Sequence, residues 1–229
     1  MAKPKLQTAK DDFIDVLDSS DGLLAAVRPF LVGPYQQVAG VPIQRKQAER
    51  ILALAFMASV AAWEEFVLGA FIRYMVGVAA PSGYKPTLRL GACGTLDHAL
   101  EVVSGEANFN IEKRYISWKG WDDVLSSAKV YFRQGAPFDR LTAADIDHLK
   151  DATSIRNRVA HKSPKCIAQF VETAKKHMGV AAANPLPQGT DPGRLLASQV
   201  THLFTVVPNQ TYYGAYSAWL RRLANLLVP

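Results

Sequence analysis

Apolar residues recur at helical spacing along most of the chain, and proline and glycine divide them into segments. Leu6 to Phe30 carries Phe13, Ile14, Val16, Leu17, Leu23, Leu24 and Val27 around a polar Ser19-Ser20-Asp21-Gly22 cluster. This predicts two short helices or one interrupted helix, with Ser20 or Asp21 capping the second part. Gly33-Pro34 and Gly40-Val41-Pro42 mark a loop. Between Gln44 and Val78 proline is absent, and Ile51, Leu54, Ala55, Ala58, Ala62, Phe66 and Ala70 repeat every three or four residues. A long helix, apolar around most of its circumference and central to the core, is expected there. Pro81-Ser82-Gly83 ends it, a short helix follows over Leu96 to Val103, and Ser104 to Trp121 reads as loop. Asp122 to Phe132 predicts another helix, broken by Gly135-Ala136-Pro137.

Leu141 to Lys162 carries the clearest helical pattern, with Ile146, Leu149, Ala152, Ile155 and Val159 as its apolar stripe. Thr142 and Asp145 resemble a capping box in which Asp replaces the usual Glu. Ser163-Pro164 stops this helix and starts the next, as N-cap and first-turn proline, and Gly179 ends that one. Ala181 to Gly193 is rich in Ala, Pro and Gly and reads as a linker. His202 to Val207 reads as one short strand or an extended segment, and Asn209 or Thr211 as the cap of a last amphipathic helix to Leu227. The expected fold is all-α, with residues 1–180 as the main helical domain. Residues 181–229 form a linker and a C-terminal helix packed on the same domain or on a dimer partner.

Composition narrows the function classes. Of 229 residues, 49% are apolar and 20% charged, which suits a folded core rather than a disordered chain. The net charge of +6 and pI near 9.3 favour a polyanionic partner such as RNA. Cys93 and Cys166 are the two cysteines, read as reduced thiols, and no Cys/His group has zinc spacing, so neither metal nor cofactor is expected. No glycine-rich phosphate loop occurs. Met1-Ala-Lys-Pro-Lys-Leu-Gln lacks the apolar stretch of a secretory signal. The longest apolar run, Ile51 to Trp63, falls short of the ~20 residues that span a bilayer. A cytoplasmic protein without a membrane partner is expected.

The chemistry concentrates in Ser154-Ile155-Arg156-Asn157-Arg158-Val159-Ala160-His161-Lys162, at the end of the strongest helix. Ile155 and Val159 should face the core. Asn157 and His161 share a face, with Arg158 at its border. Arg156 lies about 140° around the wheel from His161 if the helix stays regular. The two meet one ligand only if the last turn loosens or a second chain brings its own copy. Pro164 favours loosening, because it pushes residue 163 away from helical geometry. An imidazole suits proton transfer near neutral pH. The helix-end carbonyls favour its charged form, and Arg156, Arg158 and Lys162 oppose it.

Arg156-Asn157 followed by His161 at a helix end resembles the signature of HEPN domains, and Ala61-Ala62-Trp63-Glu64-Glu65-Phe66 is similar to the Trp-Glu segment of their RiboL-PSP-type branch. The resemblance spans Gln44 to Lys165, roughly half the chain. It implies an up-and-down helical bundle with additional helices. It also implies a homodimer in which Arg156 and His161 of two copies form a metal-independent endoribonuclease cleft. His161 would move protons, Arg156 would grip the phosphate, Asn157 would orient either, and Arg158 and Lys162 would bind substrate. Attack by the 2′-hydroxyl would leave a 2′,3′-cyclic phosphate. A toxin–antitoxin or phage-defence setting, with an antitoxin or defence partner protein, is the family's implication. Two rivals stand beside it: a non-catalytic module binding RNA, nucleotide or a protein partner, and a structural adaptor. Trp63, Trp118 and Trp121 read first as core, His98, His148 and His202 as structural or surface residues. Lys150, Lys162 and Lys165 form either a phosphate-contacting rim or a solvated face.

Overall fold

A computed structural model describes residues 5–35, 39–40, 42–114, 116, 118–204 and 207–229. The chain is all-α. Its helices are α1 (Leu6–Val27), α2 (Arg45–Met75), α3 (Leu96–Ser104), α4 (Trp121–Tyr131), α5 (Ala143–Ala160), α6 (Pro164–Met178), α7 (Pro192–Ala197) and α8 (Tyr212–Leu227). Short 3-10 turns cover Arg28–Phe30, Arg133–Gly135 and Phe138–Arg140. Among the described residues the only β-type pairings are the isolated bridges Leu88–Phe132 and Gln199–Thr211. Of the segment expected as a strand, residues 202–204 are bends, and Thr205 and Val206 lie outside the described residues. So do Val41, Tyr115 and Ser117 of the expected loops.

Three expectations shift. α1 runs unbroken through Ser19–Gly22. Its polar residues there do not cap: buried Ser20 donates to the Ala55 carbonyl (3.4 Å), and Asp21 accepts from Ser217 (3.1 Å). In α2 the buried residues include Leu52, Phe56, Val60, Trp63, Val67 and Phe71, whereas Leu54 and Ala58 of the expected stripe are exposed. A helix apolar on nearly every side does not reveal its inward face by spacing alone. The Ala181–Gly193 linker gives way to α7, which starts at Pro192 with Asp191 as N-cap accepting from the Arg194 N–H.

The chain divides into two compact units, one of Met1–Ile14, Trp63–Leu149 and Arg221–Pro229, the other of Asp15–Ala62 and Lys150–Leu220. The first has an aromatic core. Phe71 sits 5.0 Å from both Phe132 and Phe138 and 5.2 Å from Trp118, and Trp63 packs on Phe13, Phe66 and Trp121. Each buried ring contributes about 1.5–3 kcal/mol by leaving water. Pair geometry adds only about 0.5–1.5 kcal/mol. Area, not ring orientation, therefore holds this unit. Tyr74 Oη donates to the Leu227 carbonyl (2.8 Å) and Lys10 Nζ to that of Val228 (2.8 Å), tying down the chain end.

The second unit packs Phe56 of α2 against Tyr213 and Tyr216 of α8. Fully buried His177 bonds to Tyr216 Oη (2.8 Å) and the Thr173 carbonyl (2.9 Å), and Tyr212 donates to the His177 carbonyl. By length and composition α2 is the one helix among the described residues able to cross a bilayer, but 56% of its most apolar window is buried within the protein.

Candidate functional site

The site lies at the junction of α5 and α6. α5 begins with the reciprocal capping box read from the sequence. The Thr142 N–H donates to Asp145 Oδ2 (3.0 Å) and the Asp145 N–H to Thr142 Oγ1 (3.2 Å). Arg222 holds the other oxygen of Asp145. Such a cap contributes about 1 kcal/mol and fixes where the helix starts.

α6 returns antiparallel to α5. Ser154 accepts from Thr173 (3.0 Å) and Asp151 pairs with Lys176 (2.8 Å), so both contacts share one register. Ile155 and Val159 are buried, as the wheel requires. The turn between the helices is set by Ser163, whose hydroxyl accepts from the Cys166 N–H (3.3 Å), with Pro164 in the first turn.

Arg156, Asn157 and Arg158 are half-buried, while His161 and Lys162 are exposed. Arg156 Nη1 donates to Asn157 Oδ1 (2.9 Å), and its Nε is shut off from solvent. Arg158 Nη1 reaches the His161 carbonyl at 3.4 Å. The His161 N–H still bonds the Asn157 carbonyl (2.8 Å). Helical hydrogen bonding therefore extends through His161, and the loosening expected near it begins only at Lys162. α5 itself ends at Ala160, and on an ideal helix carried one residue further Arg156 and His161 would diverge by about 140°. No hydrogen bond joins them, and the His161 ring has none to any described residue. Asn157 is the link, accepting from the Arg156 side chain and from the His161 backbone.

The electrostatics are one-sided. Arg158, His161, Lys162 and Lys165 form no ion pair with a carboxylate among the described residues. Their field at this helix junction is not neutralised locally, which suits a phosphate backbone. Among the described residues no group of three or more His, Cys, Asp or Glu side chains is placed to hold a metal ion.

The other singled-out residues lie elsewhere. Trp63 and Trp121 are buried in the first unit, and Trp118 packs on Phe71 with its indole N–H toward Ser127 (3.3 Å). Glu64 and Glu65 are exposed. Spacing and motif did not single out His177, yet it is fully buried and hydrogen-bonded through both ring nitrogens. Its partner Tyr216 is 39 residues away, beyond any spacing rule. The reading also missed α7, although Asp191-Pro192 repeats the N-cap and first-turn proline signal of Ser163-Pro164. Comparison with family models, with curated proteins and with solved structures finds no match for the chain.

Proposed function

We propose that the protein is a HEPN-type endoribonuclease that acts as a homodimer and cleaves RNA through its own 2′-hydroxyl. One observation carries the reading. An exposed imidazole, His161, follows the last turn of α5 beside Arg158, Lys162 and Lys165, which pair with no carboxylate among the described residues, and Asn157 ties the Arg156 guanidinium to the same turn. Because Arg156 and His161 diverge around the helix, a single chain does not present both to one phosphate. Two copies facing across a two-fold axis do. His161 then takes the 2′-hydroxyl proton as O2′ attacks phosphorus, and the partner's His161 protonates the leaving 5′-oxygen. Arg156 stabilises the charge that builds on the phosphorane. Arg158 and Lys162 hold neighbouring phosphates. The products are a 2′,3′-cyclic phosphate and a 5′-hydroxyl. A toxin or phage-defence role, restrained by a partner protein, accords with such an activity.

The test is cleavage of a single-stranded RNA oligonucleotide by the purified chain in EDTA. The cyclic phosphate should form, and an all-deoxy oligonucleotide should stay intact. His161→Ala and Arg156→Ala should each slow cleavage about 10²-fold or more, with unchanged circular dichroism. A wild-type chain that binds the oligonucleotide but leaves it whole would establish the second reading, a non-catalytic RNA-binding module.

A further inference from the structure

A cluster of two arginines around a cavity lies apart from the α5–α6 junction. In the second unit a cavity of about 290 Å³ is lined by Leu31, Met178 and Leu195 as its apolar side and by Arg45, Arg194 and Thr190 as its polar side. Met178 is the last residue of α6, whereas the candidate nuclease site adjoins the first. The two ends of that helix are roughly 20 Å apart.

The two guanidiniums are held in place by the fold. Arg45 opens α2 and lies 4.0 Å over the Tyr35 ring, with Nε on Glu49 (3.2 Å) and Nη1 on the Gly33 carbonyl (3.0 Å). Arg194, on α7, lies 5.1 Å from the same ring, with Nη1 on the Gln188 carbonyl. The Tyr35 ring thus meets two cations, and its hydroxyl donates to Glu49 (2.9 Å). Burial and the Glu49 carboxylate both push the Tyr35 phenol above its ordinary range, so it stays a donor. Gly193 presses α7 onto α2 so tightly that a Cβ there would stand 2.1 Å from the Glu49 carbonyl oxygen. That contact sets the spacing of the two arginines.

Charge and donor capacity are left over. Glu49 is 2% exposed and already accepts from Tyr35 and Arg45, and the Asp191 carboxylate is taken up by the Arg194 backbone N–H, so neither saturates the two guanidiniums. Nη2 of Arg45, and Nε and Nη2 of Arg194, make no hydrogen bond to any described residue. Two forks approaching from different helices suit a tetrahedral oxyanion better than a planar carboxylate, which a single fork can saturate. The apolar side of the cavity suits a carbon body attached to that oxyanion.

We propose that this cavity is a binding site for a small organic phosphate, with Arg45 and Arg194 clamping the phosphoryl oxygens and Leu31, Met178 and Leu195 receiving the organic part. The reading does not depend on the nuclease assignment. Phenyl phosphate is the probe, with inorganic phosphate and phenol as comparison ligands, titrated into the full chain by NMR and calorimetry. Saturable binding is expected for phenyl phosphate, weaker for inorganic phosphate and weakest for phenol. The first signals to move should be those of the Arg194 Nε–H and the Met178 methyl, before the His161 ring. Arg194→Gln should weaken phenyl phosphate about tenfold or more, whereas Arg158→Gln, at the other site, should leave it unchanged. The wild-type shifts test the site even if Arg194→Gln fails to fold. Absence of saturation for phenyl phosphate up to about 10 mM overturns the proposal. So does binding that Arg158→Gln abolishes and Arg194→Gln retains.

Discussion

At the scale of the residue, buried polar groups reveal more than the exposed ones. The Thr173 carbonyl can only accept, so Nδ1 of His177 carries a proton, and Nε2 takes the Tyr216 hydroxyl as its donor. Burial, and then the Asp151 charge, hold the Tyr216 phenol well above its ordinary range. Burial does the same for Tyr74, with Tyr84 adding to it. The folded state keeps these two protons more tightly than the unfolded chain, whose tyrosines release theirs near pH 10. Stability from them is therefore full below about pH 10 and is lost as the pH climbs from there toward the folded-state values. Midpoints of urea unfolding should fall between pH 9 and 11. Tyr216→Phe should soften that fall, yet cost about 1–3 kcal/mol at pH 8 by leaving His177 Nε2 without its donor. A midpoint flat across this range would refute the account. The candidate residues from Arg156 to Lys162 stand out in the sequence, because type, spacing and a helix end coincide there. His177 was not, since its role arises from packing between distant segments.

At the scale of the element, caps were the most readable signals. The Thr142–Asp145 box, the Ser163-Pro164 start and the Gly179 stop each appear where local chemistry places them. They depend only on residues within one turn, so no tertiary information is needed. The inward face of α2 was readable only in part, with Ala55, Phe66 and Ala70 of the stripe buried but Leu54 and Ala58 exposed, as tertiary contacts choose among its several apolar faces. α7 was hidden because six residues carry too little periodicity to stand out in a Pro- and Gly-rich stretch. Its position rests on Gly193, where nothing larger fits against Glu49. Gly193→Ala should destabilise the protein by about 1–3 kcal/mol in thermal unfolding, from overpacking against backbone that cannot yield. An unchanged melting temperature would show that α7 moves freely and that the spacing of the two arginines is not fixed.

At the scale of the whole molecule, the net charge of +6 bears on the choice of partner more than on fold. If the junction of α5 and α6 meets the RNA backbone, affinity for a single-stranded oligonucleotide should fall as salt rises. The double-logarithmic slope is about −0.7 per phosphate neutralised. Arg158→Gln with Lys162→Gln should flatten that slope by about 1.4 in filter-binding titrations. An unaltered slope would move the contact elsewhere. The boundaries between the two units, after Ile14, Ala62, Leu149 and Arg221's predecessor Leu220, fall inside α1, α2, α5 and α8. No single scission of the polypeptide therefore severs one half from the other. A break in the surface stretch before α7 leaves each fragment holding pieces of both cores, so either piece expressed by itself would expose apolar helix faces that only the missing strand of chain can cover.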